Sequence, residues 1–370
     1  MVIVGGGLSG LTSAIDLTQR GFSTVLIEKK SFPHHKVCGE FISNEVMPYF
    51  KDLGIDLDAL QPTQIDKTTI SLSNGKSISC ALPLGGFGIS RYTLDVYLYK
   101  KAKSFGCEMI HEKVIDIHFE DNRFTITTEL EQVLTAKIVL GAFGKRSNLD
   151  KSFQRNFIQK KSPWLGVKAH YSGNFPNDLV ALHNFEGGYC GISKVENNII
   201  NICYLTKYDT FKKFKNIDDF NEAVINKNPN LKVILASSNM LFEKPITISQ
   251  ISFENKKQVE QHVLMIGDAA GLIHPLCGNG MAMAIHSAKL ASEQVTAFLK
   301  GTIHRTKMEQ LYQSKWNDQF KSRLLMGKWL SKVLLNPYLS GIMFRLLMIF
   351  PEMLPKIIKR THGNPIISCE

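Results

Sequence analysis

The residues nearest the start of the chain already have the spacing of a phosphate site. Gly5-Gly6-Gly7-Leu8-Ser9-Gly10 places glycines at the first, third and sixth positions of a six-residue run. Gly5 suits a tight turn, Gly7 the close approach of a pyrophosphate to the backbone, and Gly10 the close packing of a helix on a strand. Leu8 and Ser9 lie within this turn, and the helix N-terminus that follows it faces the anion with its free amides and positive dipole end. Glu28, with Lys29 beside it, follows 18 residues beyond Gly10. A carboxylate there accepts hydrogen bonds from ribose hydroxyls and disfavours a 2′-phosphate. The pattern predicts a tightly held dinucleotide whose adenosine lacks that phosphate.

A second constellation comes late in the chain: Gly267-Asp268-Ala269-Ala270-Gly271, then Pro275 and Gly278-Asn279-Gly280-Met281. A strand end presents one carboxylate, small residues let the backbone close on a ligand, and a helix begins at the glycines. Asp268 suits a polyol chain, and the helix amides suit a ring that gathers negative charge. A reduced flavin needs both, so the two constellations together predict FAD. Near them, Cys38 reads either as a redox-active thiol or as a packed small residue, the second favoured because no cysteine lies four or five residues away. His274 either exchanges a proton beside the flavin or is a hydrogen-bonded structural histidine. His286 flanks the same motif, and His34-His35 reads as a surface loop, with no second cluster to complete a metal site.

These residues need positioning elements. Val2-Ile3-Val4, the glycine turn, a helix over 11–20 and Thr24–Ile27 form one βαβ unit. Asn74-Gly75 between two alternating runs predicts a hairpin, and Arg91 to Phe105 has helical periodicity. Runs at 114–119, 123–128 and 136–140 read as a small meander leading into a buried strand. Residues 151–250 change to short alternating segments with one polar helix at 217–226. Val263 to Ile266 then returns to a buried-strand pattern before a long helix over 280–298, so the first domain closes late in sequence.

Composition bounds the rest. At 370 residues and 44% hydrophobic content the chain can bury a full core. Seven cysteines, Cys369 among them, show no paired or zinc-like spacing and read as reduced thiols. A sequence that starts inside a strand leads us to expect no secretory leader, and no apolar run reaches about 18 residues, the floor for a spanning helix. The expectation is a cytoplasmic protein. Of the net charge of +11, seven fall between Lys315 and Arg360, where nine lysines and arginines face only Asp318 and Glu352. They are interleaved with Leu, Met, Ile, Phe and Trp, which disfavours a nucleic-acid groove. Short amphipathic helices broken by Pro337, Pro351 and Pro355 are expected there. They either pack on the core or roof an apolar substrate tunnel and rest peripherally on an anionic membrane.

The glycine turn with Glu28, Arg91 opening a helix, and Gly267-Asp268 followed by Pro275, Gly278 and Gly280 resemble the fingerprints of the class A flavoprotein monooxygenase superfamily, with its para-hydroxybenzoate hydroxylase-like fold. Lys36-Val37-Cys38-Gly39-Glu40 and Pro275-Leu276-Cys277-Gly278 are most similar to the geranylgeranyl reductase branch. The resemblance implies that Asp268 holds the ribityl chain, Arg91 contacts the cofactor near its phosphates, and Gly278 to Met281 lie by the isoalloxazine. In the superfamily's middle motif Phe143 stands where an acid is usual. Of the branch's Tyr-x-Trp-x-Phe-Pro-Lys run only Tyr189 and Lys194 remain, as candidate substrate contacts. The halogenase Trp-x-Trp-x-Ile-Pro signature is absent, which disfavours halogenation.

The expected fold is α/β: a Rossmann-like FAD-binding domain from 1–150 and 255–300, an inserted mixed β-sheet substrate domain over 151–254, and a helical C-terminal region over 301–370. The expected function is reduction of carbon-carbon double bonds of an isoprenoid or lipid-like apolar substrate by flavin hydride transfer. NADH or NADPH is the expected electron donor; since no second glycine fingerprint follows a strand, the nicotinamide would bind transiently or a protein donor would replace it. The alternatives are hydroxylation of a lipid-tailed phenol or polyketide via a flavin hydroperoxide, and flavin binding without turnover.

Overall fold

Val2–Val4 is buried on both faces, as an interior parallel strand must be. The computed structural model, which describes residues 1–367, places it at the centre of a six-stranded sheet. The order is Glu108–Ile110, Val25–Ile27, Val2–Val4, Val139–Gly141, Val263–Met265 and Val259–Glu260. All pairs are parallel except the last. Parallel neighbours need crossovers, and the chain supplies helix Leu8–Gln19 between the first two strands, packed against helices Arg91–Ser104 and Gly280–Leu299. A single large core of this sheet and these helices includes Ile3, Leu11, Ile15 and Leu264. This is an α/β fold with a Rossmann-like unit closed by strands that arrive late in sequence.

The second sheet has nine strands. Its order is Ser238–Met240, Trp164–Gly173, Ile200–Lys207, Gly188–Lys194, Leu179–Phe185, Thr63–Ser71, Ser77–Gly88 and Phe41–Ser43, with Ile246–Ser249 also on Trp164–Gly173. Three of these strands come from residues 41–88, so the first 150 residues are divided between the two sheets. The link is Thr63–Ser71, which pairs parallel with Leu179–Phe185. The hairpin turn sits at Asn74-Gly75, where Gly75 has φ +85°. One face of the sheet packs against Phe220 through Val167, Cys190 and Ile202; the other meets the Lys36–Glu40 loop through Lys168 and Asn201 and His274 through Tyr189.

The meander is Val114–Glu120, Arg123–Thr128 and Val133–Ala136. The run expected at 136–140 splits, because Val139–Gly141 leaves the meander to pair with Val2–Val4. The described C-terminal region is dominated by three helices: Arg305–Leu335, Pro337–Ile349 and Met353–Thr361. The first is a 31-residue helix and not a short one. Its one internal breaker, Gly327, is a packing residue: a Cβ there would stand 3.1 Å from Cys277 Sγ. Pro337 falls at a helix start capped by Asn336, and Pro355 in a first turn, where proline costs no intrahelical bond. The six cysteines of the described residues carry free thiols; Cys369 lies outside them.

Candidate functional site

The three fingerprint glycines divide by what a side chain would meet. A Cβ on Gly5, where φ is +111°, would lie 2.4 Å from the Ala142 carbonyl oxygen, and one on Gly10 would lie 2.0 Å from the Gly5 oxygen. Both glycines let the strand, turn and helix touch. A Cβ on Gly7 would meet only Arg91 Nη2, at 4.0 Å. Open space therefore lies over the one glycine assigned to phosphate approach. Leu8, Ser9 and Gly10 form the first helical turn, whose amides have no intrahelical acceptor. The Leu8 side chain itself is core. Ser9 packs toward Gly267, whose Cβ would come within 2.5 Å of Ser9 Oγ. Glu28 Oε2 accepts from the Gly6 amide at 2.7 Å and Oε1 from the Lys30 amide at 3.0 Å. The carboxylate braces the turn and keeps acceptor sites for a ribose. Lys29 is exposed.

Arg91 is the first residue of its helix, capped by Ser90, whose Oγ accepts from the Thr93 amide. Its guanidinium grips Asp95 at 2.7 and 2.8 Å, and Asp95 also accepts from Lys36 Nζ at 2.7 Å. Burial works to raise the Asp95 carboxyl, but Arg91 and Lys36 beside it hold it below the usual carboxylate range. One carboxylate thus anchors two cations beside the phosphate turn.

Asp268 stands in a turn that begins at Gly267, with φ +60°. The Gly267 amide donates to Ser287 Oγ at 2.8 Å. The turn's carbonyls are held from behind. Lys256 Nζ donates to the Asp268 oxygen at 2.7 Å and Arg155 Nη2 to the Ala269 oxygen at 2.9 Å, with Arg155 itself paired to Asp150 at 2.8 Å. Burial pulls the Lys256 ammonium down to about 8. The half-buried Asp268 carboxylate makes no hydrogen bond to the described residues, and its charge is felt at Arg91. It lines a cleft with Gly267, Gly280, Ala284 and Trp316. A rigid turn presenting one unspent carboxylate fits a polyol, so the residues fit FAD: Gly7 and Arg91 at the phosphates, Glu28 at the ribose, Asp268 at the ribityl chain.

Gly278, with φ +63°, leads into helix Gly280–Leu299. Met281 Sδ lies 3.3 Å from Cys38 Sγ, which brings the Lys36–Glu40 loop against that helix start. Asn279 is fully buried in a polar knot, donating to Glu45 Oε2 at 3.2 Å and accepting from Arg323 Nη1 at 3.5 Å. Its side chain is spent on the protein. His274 is buried in a box of Trp164, Phe253 and Tyr189, with Nδ1 3.4 Å from the Tyr189 hydroxyl and Nε2 without a partner. Burial pushes its ring down to about 3, so it is neutral at physiological pH. Tyr189 and Lys194 lie on one strand five residues apart, on opposite faces. Tyr189 faces His274; Lys194 donates to Asn177 Oδ1 at 2.7 Å, away from the box. His34 and His35 lie in a partly exposed loop, and His35 stacks on Tyr92. His286 is buried against Phe320.

Sequence reasoning missed the strongest charge cluster beside the site. Glu40 has φ +54° and is fully buried. It pairs with Lys168 Nζ, accepts from His170 Nε2 at 2.7 Å, and accepts the Arg91 amide at 2.8 Å. Burial would raise the Glu40 carboxyl; the His170 hydrogen bond and the Lys168 charge hold it below its ordinary value. Asn201 Nδ2 donates to the Cys38 and Gly39 carbonyls at 3.2 and 2.9 Å. The second sheet therefore clamps the loop that packs against the start of helix Gly280–Leu299. The available signal was Lys168 and His170 at alternate positions of an otherwise apolar strand, a pattern that places two polar groups on one buried face.

Residues 1–316 match the family described as FAD binding domain. Among curated relatives, conditioned medium factor receptor 1 of Dictyostelium discoideum is 24% identical over 89% of this chain and 69% of its own length. Digeranylgeranylglycerophospholipid reductase of Methanosarcina acetivorans is 24% identical over 86% of this chain and 80% of its own. Among solved structures, the flavin-dependent brominase Bmp2 superposes with a TM-score of 0.78 at 18% identity, covering 97% of this chain and 92% of that one. The match over most of the chain and the geometry of the two glycine turns agree: the chain belongs to the FAD binding domain family.

Proposed function

We propose that this flavoprotein reduces carbon-carbon double bonds of an isoprenoid or similar lipid-like substrate. The observation that carries the reading is the wall around Leu276, in the turn between His274 and Gly278. Leu276 packs at once against the central core, against a cluster of Ile78, Leu334, Phe344 and Leu347, and against one of Tyr189, Leu205, Ile251 and Leu272. Apolar side chains of the second sheet and of the C-terminal helices meet at this turn. The titratable groups there carry no charge: burial holds His274 neutral and pushes the Tyr189 phenol well up. Such a compartment favours an apolar chain and penalises an ionic one.

When bound, FAD supplies the hydride. The chain's own part is to bind, orient and keep dry. Asp268 and Arg91 would hold the cofactor's polar parts, and the first-turn amides of helix Gly280–Leu299 would favour negative charge placed before them. Tyr189, hydrogen-bonded to neutral His274, keeps a proton beside the turn. NADH or NADPH refills the flavin transiently in this reading.

A second reading, hydroxylation of a lipid-tailed phenol or polyketide, draws on membership of a superfamily in which oxygen insertion is common. The likeness to the brominase is one of fold, and Trp164, Trp316 and Trp329 stand too far apart to form the halogenase signature. The test is mass spectrometry of products after the reduced holoprotein meets an isoprenoid-rich lipid extract in air. A gain of two hydrogens supports reduction; a gain of one oxygen replaces it with hydroxylation.

A further inference from the structure

We propose that the outward face of the three C-terminal helices is a docking surface for an anionic lipid bilayer. Helix Pro337–Ile349 buries Ser340, Phe344 and Leu347, a single helical stripe, against Leu334, Ile78 and Leu354. The opposite face of a helix on a soluble protein is ordinarily polar. Here it carries Tyr338 at 84% exposure, Met348 and Ile349 at 67% each, and Ile342 at 50%. Its one charge is Arg345, itself exposed. Trp329 on the preceding helix and Phe350 just beyond this one are also exposed, at 52% and 47%. Tryptophan and tyrosine at the rim of such a face suit the headgroup level of a membrane.

The charges are arranged to match. Helix Met353–Thr361 turns Leu354 inward and Lys356, Lys359 and Arg360 outward. With Lys321, Lys332 and Arg345 they make six exposed cations, and Glu352 is the single acid between 319 and 361. An apolar centre ringed by lysine and arginine attracts anionic headgroups and buries its centre in the acyl boundary. A second copy of the chain would set like charges against each other, which disfavours that occupant. No single helix is long and apolar enough to cross, and the one pair with the length and composition for a span, Arg305–Leu335 with Pro337–Ile349, is bent by 105°. In this proposal the exposed faces lie along the membrane surface. The proposal holds whichever reaction the flavin performs.

The test is flotation of the FAD-loaded full chain with vesicles of phosphatidylcholine containing a third phosphatidylglycerol, and with pure phosphatidylcholine vesicles, at low and physiological salt. The expected result is flotation with the anionic vesicles, weakened by salt, and at least tenfold less with the zwitterionic ones. Ile349→Ser with Phe350→Ser, and separately Lys356→Glu with Lys359→Glu, should each lower anionic-vesicle binding at least tenfold while flavin content and melting temperature stay unchanged. These positions are exposed, so loss of folding is not the expected cause. A wild-type chain that stays unbound at low salt overturns the proposal. So does binding that both double variants retain, or a lipid-free dimer that the Ile349→Ser, Phe350→Ser variant abolishes with no vesicle binding by the wild type.

Discussion

Replacing Gly7 with alanine separates cofactor binding from folding. Gly7 is the cap of helix Leu8–Gln19 with φ −81°, and its added methyl would touch only Arg91 Nη2 at 4.0 Å. The folded chain meets no clash. Alanine at a cap position costs about 0.5–1 kcal/mol, and the stiffer unfolded chain returns about 0.4–1 kcal/mol. For 370 residues, an unfolding entropy of about 2.1 cal/mol/K per residue makes ~1 kcal/mol worth about 1 °C. The apoprotein should melt within about 2 °C of wild type. FAD binding should suffer, because the methyl occupies the space through which a phosphate reaches the backbone. Losing one hydrogen bond to a charged group costs about 1.5–3 kcal/mol, which weakens FAD about 10- to 150-fold. Gly10→Ala is the contrast: its methyl would be driven to 2.0 Å from the Gly5 oxygen, so that variant should melt well below wild type. The assay is flavin-fluorescence titration of the two apoproteins beside their calorimetric melts. Unchanged FAD affinity in Gly7→Ala would refute the placement of the pyrophosphate against this glycine.

Three further outcomes follow from the site. Asp268→Ala should lower FAD retention by about 10- to 150-fold, one charged hydrogen bond, and leave the apo melt unchanged, since the carboxylate holds nothing in the described chain; full flavin content in the purified variant counts against it. Lys168→Met should cost about 3–5 kcal/mol by leaving Glu40 buried without its cation, with much of that regained in the Glu40→Gln, Lys168→Met pair; denaturant melts of the single and double variants decide. His274 has its folded pKa lowered to about 3, by burial, from 6.5. Its contribution is therefore whole above pH 6.5 and is lost as pH falls toward 3, amounting to about 2 kcal/mol by pH 5. His274→Phe should shrink the drop in stability between pH 7 and pH 5 by about that amount, and an unchanged drop would show that the ring is not held neutral.

The βαβ unit was legible because each step has a local cause. Val2-Ile3-Val4 is an apolar run, the glycines punctuate it, and the helix that follows is periodic. Boundaries moved by a few residues at most, as with helix Arg91–Ser104. The 31-residue helix was harder to read because its charged and apolar residues alternate irregularly. Tyr189 and Lys194 form one motif in sequence, but five residues apart on a strand they project to opposite faces; which of those faces meets His274 is decided by the sheet's packing.

By itself the sequence determined what local chemistry can determine: glycines where backbone must meet backbone or a phosphate, an acid at the end of the second strand, a carboxylate in a small-residue turn, and the excess of cations near the C-terminus. Only the tertiary structure decided which polar groups are spent and which are free. Asn279 is consumed by Glu45 and Arg323, whereas Asp268 is left open because Lys256 and Arg155 take its turn's carbonyls instead. Glu40, Lys168 and His170 come from segments far apart in the chain and meet only because the second sheet closes over the loop at Cys38. The alternation of Lys168 and His170 announces a buried polar face, but hydrogen bonds between distant segments carry no spacing in sequence, so nothing in it could name Glu40 as the partner.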